Sequence, residues 1–377
     1  MIWIFWLAAA LLLYTFAGYP VLLLLLARWR KRVHMRAPIE PLVSIIIAAH
    51  NEESLIGKKM ENCLELDYPK DRREIIVASD GSTDSTVRVA GSFADQGVRV
   101  IDLAERGGKQ NAQLQAIKAA RSEILVFTDP GTQLPRNALR EMVSNFADPA
   151  VGCVSSEDQL IQESRGWIGE RSYVRLEMWM RRQESLLGSL VTASGSFFAA
   201  RRSVCETWPV DQTSDFFVPL NAIALGMRAV VDPASVGRYA ASRTETAELR
   251  RKVRTVVIGL YVFFSHGSLL NPLRHALTAW QLVSHKLCRW LTPFAALALL
   301  VSSLSLWHAA VFYRLCAVLL IAAIAAGILG LAAGRLTQWK PLRLAGYLLL
   351  GNAATVMAWS YYIMGERFVT WQPTRRS

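Results

Sequence analysis

No Cys-x-x-Cys pair occurs in this 377-residue chain; its five cysteines, Cys63, Cys153, Cys205, Cys288 and Cys316, are scattered. That spacing argues against a thiolate metal centre or a disulfide framework and leaves the thiols as reduced packing groups. A GxxxxGK[ST] phosphate loop is also absent. Acidic residues are the scarcer charge, 30 Asp and Glu against 42 Lys and Arg, for a net charge of +12. No nucleic-acid motif accompanies that excess, so a nucleic-acid partner is not expected. Charge of either sign is missing from residues 1–27, and Arg28, Arg30, Lys31, Arg32 and Arg36 follow at once.

The mean hydropathy is +0.24 despite the net charge, so apolar and basic segments must be separated along the chain. Residues 1–27 are long enough to cross a hydrocarbon core. A secretory signal places its positive charge before the apolar run; here the order is reversed, which reads as a retained anchor. The positive-inside rule places the basic end, and the block after it, in the cytoplasm. Three further uncharged stretches, Trp290–Trp307, Leu315–Gly334 and Leu344–Met364, close the chain. Arg335, Lys340 and Arg343 mark the loop between the last two as cytoplasmic. Arg314 and the terminal Arg375 and Arg376 run against a simple alternation, which leaves an interfacial or re-entrant last segment open. Juxtamembrane Lys and Arg favour anionic headgroups, so membrane lipids are expected partners.

Residues 38–250 alternate strand-like and helix-like segments. Leu42–Ala48, Glu74–Ser79, Val98–Leu103 and Glu123–Thr128 read as strands, each separated from the next by a helical pattern. Such alternation implies βαβ units and an α/β, Rossmann-like, mostly parallel sheet. Asp80 and Asp129 each end an apolar strand, where ligands of open α/β sheets bind. In His50-Asn51-Glu52-Glu53, Asn51 offers a donor and an acceptor to a nucleoside and Glu52 an acceptor; a helix cap is the alternative. Gly107-Gly108-Lys109 turns into a helix whose N-terminus, with the Lys109 charge, suits a diphosphate. Asp129 is an oxygen ligand for Mg²⁺ or Mn²⁺. Asp215, followed by Phe216 and Phe217, is a candidate general base or a helix cap. Arg250–Thr255 is a basic run that suits phosphates or headgroups, and Val256–Phe264 and Leu277–His285 look amphipathic enough to lie at an interface.

The ordered set HNEE, DGSTD, GGK-x-N, TDxxT, GSFFAARR, SDFF and RRKVR between apolar segments resembles the family 2 glycosyltransferases, specifically the membrane branch of cellulose, chitin and hyaluronan synthases. The resemblance covers nearly the whole chain. It implies a GT-A fold and inverting transfer from a nucleotide sugar, commonly a UDP-sugar, to a glycan or lipid-linked acceptor. Asn51, Glu53 and Asp80 fall on nucleotide-binding positions, Lys109 on the diphosphate side, Asp129 on the first aspartate of the Asp-x-Asp metal motif and Asp215 on the catalytic base. Gly195 and Ser196 fall on the acceptor-side loop. The division implied is 1–27 anchor, 38–250 GT-A domain, 251–285 interfacial helices, 286–366 about three transmembrane helices and 367–377 tail. The setting implied is a bacterial inner or plasma membrane, with other polysaccharide-assembly proteins as candidate partners.

Two departures stand out. Gly131 replaces the second aspartate of the metal motif, which leaves Asp129 without its partner. In the Q-x-x-R-W clamp of processive synthases, the aligned Arg251-Lys252-Val253-Arg254-Thr255 keeps only Arg254. The missing Trp puts long-chain processivity in question and leaves single-sugar transfer to a lipid phosphate, or a weakly active assembly partner, as the other readings.

Overall fold

The computed structural model describes residues 1–161, 168–240, 245–333 and 339–368. Arg335, Arg375 and Arg376, used above to orient the chain, lie outside these residues, as does the tail beyond Phe368. The strands are β1 (Val43–Ala49), β2 (Arg73–Asp80), β3 (Val98–Leu103), β4 (Ile124–Thr128), β5 (Thr132–Gln133), β6 (Val151–Leu160), β7 (Phe197–Arg201) and β8 (Arg228–Tyr239). The main helices are α1 (Ile2–Trp29), α2 (Glu53–Leu64), α3 (Thr86–Gly91), α4 (Lys109–Ala119), α5 (Ala138–Ser144), α6 (Ile168–Leu187), α7 (Ser214–Ala224), α8 (Glu245–Ser265), α9 (Pro272–Ser305), α10 (Val311–Ala333) and α11 (Lys340–Ile363).

All eight strands form one sheet in the order β3-β2-β1-β4-β7-β6-β8-β5. The β3-β2-β1-β4 half is parallel, β7 runs antiparallel to both β4 and β6, and β6 and β8 are parallel. The sheet is therefore mixed, with its parallel part carrying the βαβ units that the alternating pattern implied. Every residue of β1 is buried. Successive side chains alternate faces: Ile45 and Ile47 join the core under α2 and α5, and Ile46 and Ala48 the core under α4 and α7. Burial on both faces explains the unbroken apolar run of a central parallel strand. Each such isoleucine contributes roughly 1.5–3 kcal/mol relative to an exposed one.

Strand order reverses between β1 and β4, since β2 and β3 lie to one side of β1 and β4 to the other. That switch point opens a crevice beyond the carboxyl ends of the strands. Among the described residues, three helices are long and apolar enough to cross a membrane: α1, α9 and α10. The 34-residue α9 runs straight through position 285, so Leu277–His285, read above as an interfacial segment, is continuous with the apolar stretch after it. Helix α11 is 24 residues long but is not among the three; it begins at Lys340, carries Arg343 and Asn352, and buries Ala354 and Ala358 against Val253 and Val257 of α8.

Candidate active site

The crevice beyond β1, β2 and β4 gathers most of the residues singled out from the sequence, in two layers. The first is a lacing of loops. Asn51, in the left-handed region at φ 52°, accepts from Thr83 N through Oδ1 at 2.8 Å, and its own N–H donates to Ser82 Oγ. Glu53 Oε2 accepts from Ser85 N at 3.0 Å, and Glu53 N donates to Asp84 Oδ2. The turn after β1 is thereby tied to the turn after β2. Asp80 is fully buried, and its carboxylate accepts from Gly107 N at 2.8 Å and Gly108 N at 2.9 and 3.0 Å. Gly108 sits at φ 94°, which a side chain would strain, so glycine is what lets this turn present its N–H groups inward. Asp80 thus fixes the entrance to α4. His50, given no role in the sequence reading, closes the same corner: its Nδ1 lies 2.7 Å from Asp80 O.

The second layer is a cluster of charge. Lys109, the first residue of α4, donates from Nζ to Asp129 Oδ1 at 2.5 Å and to Gly195 O at 3.4 Å. Asp129 N donates to Ser196 O at 3.1 Å, so the turn after β4 and the loop before β7 are held together. Asp215 is the second residue of α7. Its carbonyl accepts from Ala193 N at 2.8 Å, and an ideal Cβ placed on Gly195 would lie 3.1 Å from its Oδ2. Lys109, Asp129, Gly195 and Asp215 therefore share one pocket. Arg254 of α8 faces them: burial, and then the Arg251 charge, push its guanidinium below the usual arginine value, while Asp215 and Asp129 act in the opposite sense. Ser196, by contrast, turns its hydroxyl inward to Asp158 Oδ1 at 2.8 Å.

Three supporting residues escaped the sequence reading. Asp158, at the far end of β6, accepts from Ser194 Oγ at 2.6 Å as well as from Ser196, and so holds the loop that presents Gly195. Burial pushes its carboxyl above the ordinary value, against the pull of Arg181 and the two hydroxyls. Arg181 of α6 lies 3.9 Å from Asp158 and 3.6 Å from Glu177, and its charge is also felt by Asp215. Lys59 is fully buried and donates to Thr128 Oγ1 at 2.9 Å and Thr132 O at 2.6 Å, which pins both ends of the Asp129-Pro130-Gly131 turn. A lysine inside an amphipathic helix pattern carries no sign of this role. The only legible hint was Asp158, a carboxylate at the end of a strand like Asp80 and Asp129.

The chain's own metal-binding capacity is small. Asp129 supplies one carboxylate, already paired with Lys109, and Gly131 supplies no side-chain ligand. Among the described residues no group of three or more His, Cys, Asp or Glu is arranged to hold an ion. One hard oxygen ligand beside a lysine fits a divalent cation that arrives with a diphosphate, not one that the protein holds alone.

A mixed sheet with this strand order and a crevice at its switch point defines a GT-A-like domain. Residues 44–208 match the family Glycosyl transferase family 2. The fold is shared with a mannosyltransferase, PcManGT, from Pyrobaculum calidifontis, solved with GDP-Man and Mn²⁺: TM-score 0.72, 24% identity, 96% of this chain and 99% of that one. The poly-β-1,6-N-acetyl-D-glucosamine synthase of Staphylococcus aureus (strain COL) is 29% identical over 202 residues, 52% of this chain and 48% of that protein. The β-monoglucosyldiacylglycerol synthase of a Nostoc species is 28% identical over 184 residues, 46% of this chain and 39% of that protein. The chain thus spans about half the length, or less, of these curated relatives.

Proposed function

We propose that this protein is a membrane-bound inverting glycosyltransferase that moves a sugar from a nucleotide donor, UDP-linked in the first instance, to a glycan acceptor. The observation that carries the reading is the convergence of Lys109, Asp129, Gly195 and Asp215 in one crevice at the switch point. In this reading the nucleoside lies against the laced loops of Asn51, Glu53 and Asp80, and the diphosphate faces Lys109, the N-terminus of α4 and Arg254. Asp215 takes the proton of the acceptor hydroxyl as that oxygen bonds to the anomeric carbon, and the carbon–oxygen bond to the diphosphate breaks on the opposite face. The positive charge that develops on the sugar resembles that in glycoside hydrolysis. Asp129 would hold a Mg²⁺ or Mn²⁺ ion that arrives with the nucleotide, and the ion would supply Lewis-acid neutralisation of the leaving group. Lys109, whose Nζ lies 2.5 Å from Asp129 Oδ1, places a positive charge on the same side of the crevice.

The domain faces the cytoplasm in this reading, because Arg28 in the last turn of α1 and Arg30 to Arg36 after it mark the end from which the domain begins. Transfer of one sugar to a lipid acceptor is the second reading. Thr255, at the place of the clamp tryptophan, favours it, as does the glycolipid synthase among the relatives. Incubation of the purified full chain with a panel of UDP- and GDP-sugars, followed by mass spectrometry of glycan and lipid fractions, tests both. A ladder supports polymer synthesis and one added sugar supports lipid transfer; no product from any donor, in protein that binds the nucleotide, refutes the proposal.

Gly195 gives a sharper check. A Cβ there meets Asp215 Oδ2 at 3.1 Å, so a branched side chain must displace the carboxylate. Gly195→Val is expected to lower kcat by roughly a hundredfold, the scale of an ångström-sized misplacement of a catalytic group. Donor affinity, measured by calorimetry with the nucleoside diphosphate, should change little.

A further inference from the structure

At the opposite end of α7 from Asp215 lies a cavity of 360 Å³ with a marked charge imbalance. Its wall includes Arg32, Arg228, Arg274 and His275 and no acidic residue. No carboxylate makes an ion pair with any of the three arginines among the described residues. Arg228 spends its guanidinium on backbone: Nε donates to Gly188 O at 2.8 Å and Nη2 to Arg32 O and Ser185 O. These bonds fix its position without cancelling its charge. Burial, then the nearby Arg32, pushes Arg228 below the usual arginine value, against the opposing charge of Asp148. Three positive groups with no carboxylate in ion-pair contact, and only the Asp148 charge acting on Arg228 from outside the cavity wall, define a place for an anion.

Where the cavity sits identifies the anion. Arg32 follows the end of α1 by three residues, and Arg274 is the third residue of α9. Both helices are long and apolar enough to cross a membrane, so these ends mark the same membrane face. A backbone kink at His275 (φ −132°, ψ 46°) interrupts the first turns of α9 at the cavity wall. Ala276 also lines a second cavity of 360 Å³, whose walls are mainly apolar: Leu270, Pro272, Ala279 and Val283, with Tyr14 of α1 and Trp280 of α9. Trp280 Nε1 donates to Tyr14 Oη at 2.8 Å, and Tyr14 Oη lies 2.6 Å from Ser284 Oγ, so the aromatic polar ends are partnered and the rings line the slot. A basic cup that adjoins an apolar slot between two spans has the two-part chemistry of a phospholipid.

We propose that this paired cavity is a binding site for an anionic membrane lipid, its phosphate seated among Arg32, Arg228 and Arg274 and one chain lying in the slot beside Ala276 and Trp280. The lipid is a bound structural ligand and not a sugar acceptor. The cavity is lined by Ile223, in the last turn of α7, and by Gly226 just beyond it, whereas Asp215 is in the first turn; at 1.5 Å per residue the ends of the helix lie about 15 Å apart. The site would clamp α1 and α9 to the soluble domain. It does not depend on the transfer reaction proposed above, and its test has a separate readout.

The test is native mass spectrometry of the full chain from mixed micelles holding equal phosphatidylglycerol and phosphatidylcholine, with unfolding midpoints measured in parallel. Wild-type protein should retain phosphatidylglycerol selectively. Arg32→Gln combined with Arg274→Gln, both exposed positions outside the catalytic crevice, should weaken that retention roughly 30-fold, at about a factor of five to six per basic residue. The unfolding midpoint without lipid should match wild type, which separates lost binding from misfolding. Ala276→Phe, which fills the junction of the two cavities and keeps every arginine, should also displace the lipid. The proposal falls if the double variant retains phosphatidylglycerol as wild type does, or if Ala276→Phe leaves retention unchanged. It also falls if inorganic phosphate at equal concentration competes the lipid off, which would make this a free-anion site.

Discussion

Asp215→Asn is expected to lower kcat by roughly a thousandfold with donor affinity almost unchanged. A positioned general base contributes about 10²–10⁴ in rate, and a thousandfold corresponds to about 4 kcal/mol of barrier. The substitution is well matched to the question because it removes the proposed proton acceptor and little else. The backbone contact from Ala193 N to Asp215 O does not involve the side chain. The amide fills the same space, so the close approach of Gly195 is kept. Lys109 and Asp129 keep their own pairing. Arg181 and Arg254 each lose a neighbouring negative charge, which adds some reorganisation. Measurement of nucleoside diphosphate release at saturating donor, beside calorimetric binding of the same nucleotide, separates chemistry from affinity. A variant that turns over within about tenfold of wild type would remove Asp215 from the proton-transfer role.

The fold class was legible in the sequence because its signals are local. An apolar run such as Ile45-Ile46-Ile47 between turns is a strand buried on both faces, and a strand, glycine turn and helix in succession is a βαβ unit. What stayed hidden is what joins distant segments. The antiparallel insertion of β7 between β4 and β6 leaves no local trace; it follows from the pairing of Phe127 with Phe198, 71 positions apart. The same holds in the crevice. Asp80, Lys109, Asp129 and Asp215 could be marked because each ends a strand or starts a helix, where side chains meet ligands. Their relations could not: that Asp80 serves the Gly107-Gly108 turn, or that Lys109 rests on Asp129, depends on loops that the chain order does not juxtapose. Lys59 and Asp158 were missed for a related reason. A buried polar residue announces itself only through its partners, and Thr128, Thr132, Ser194 and Ser196 are all far along the chain from them.

Glu184→Ala is expected to destabilise the protein by about 3–5 kcal/mol, the usual cost of removing one partner from a buried charged pair. Glu184 is fully buried on α6, where Oε1 accepts from Tyr19 Oη of α1 at 2.6 Å and lies 2.6 Å from His285 Nδ1 of α9. His285 is itself fully buried and approaches Glu177 at 3.2 Å through Nε2, and Arg289 donates to Glu177 at 2.9 Å. One carboxylate therefore ties two candidate membrane spans to the helix that carries Arg181. Its loss strands the Tyr19 hydroxyl and one histidine nitrogen away from water, and each unmet group costs about 1–3 kcal/mol. Glu184→Gln keeps an acceptor for Tyr19 and should cost less, so the difference between the two variants isolates the charge. Acid should act on the same network. Burial alone would raise the Glu177 carboxyl, but His285, Lys286 and Arg289 outweigh it and hold Glu177 well below the usual glutamate value. A carboxylate with a depressed folded-state value stabilises fully above the ordinary glutamate range, and its contribution is lost as pH falls through the depressed value. Unfolding followed by intrinsic fluorescence in detergent checks each point. For Glu184→Ala the midpoint should fall by roughly 5–10 °C at neutral pH, and an unchanged midpoint would show that α1 and α9 are held by apolar packing alone.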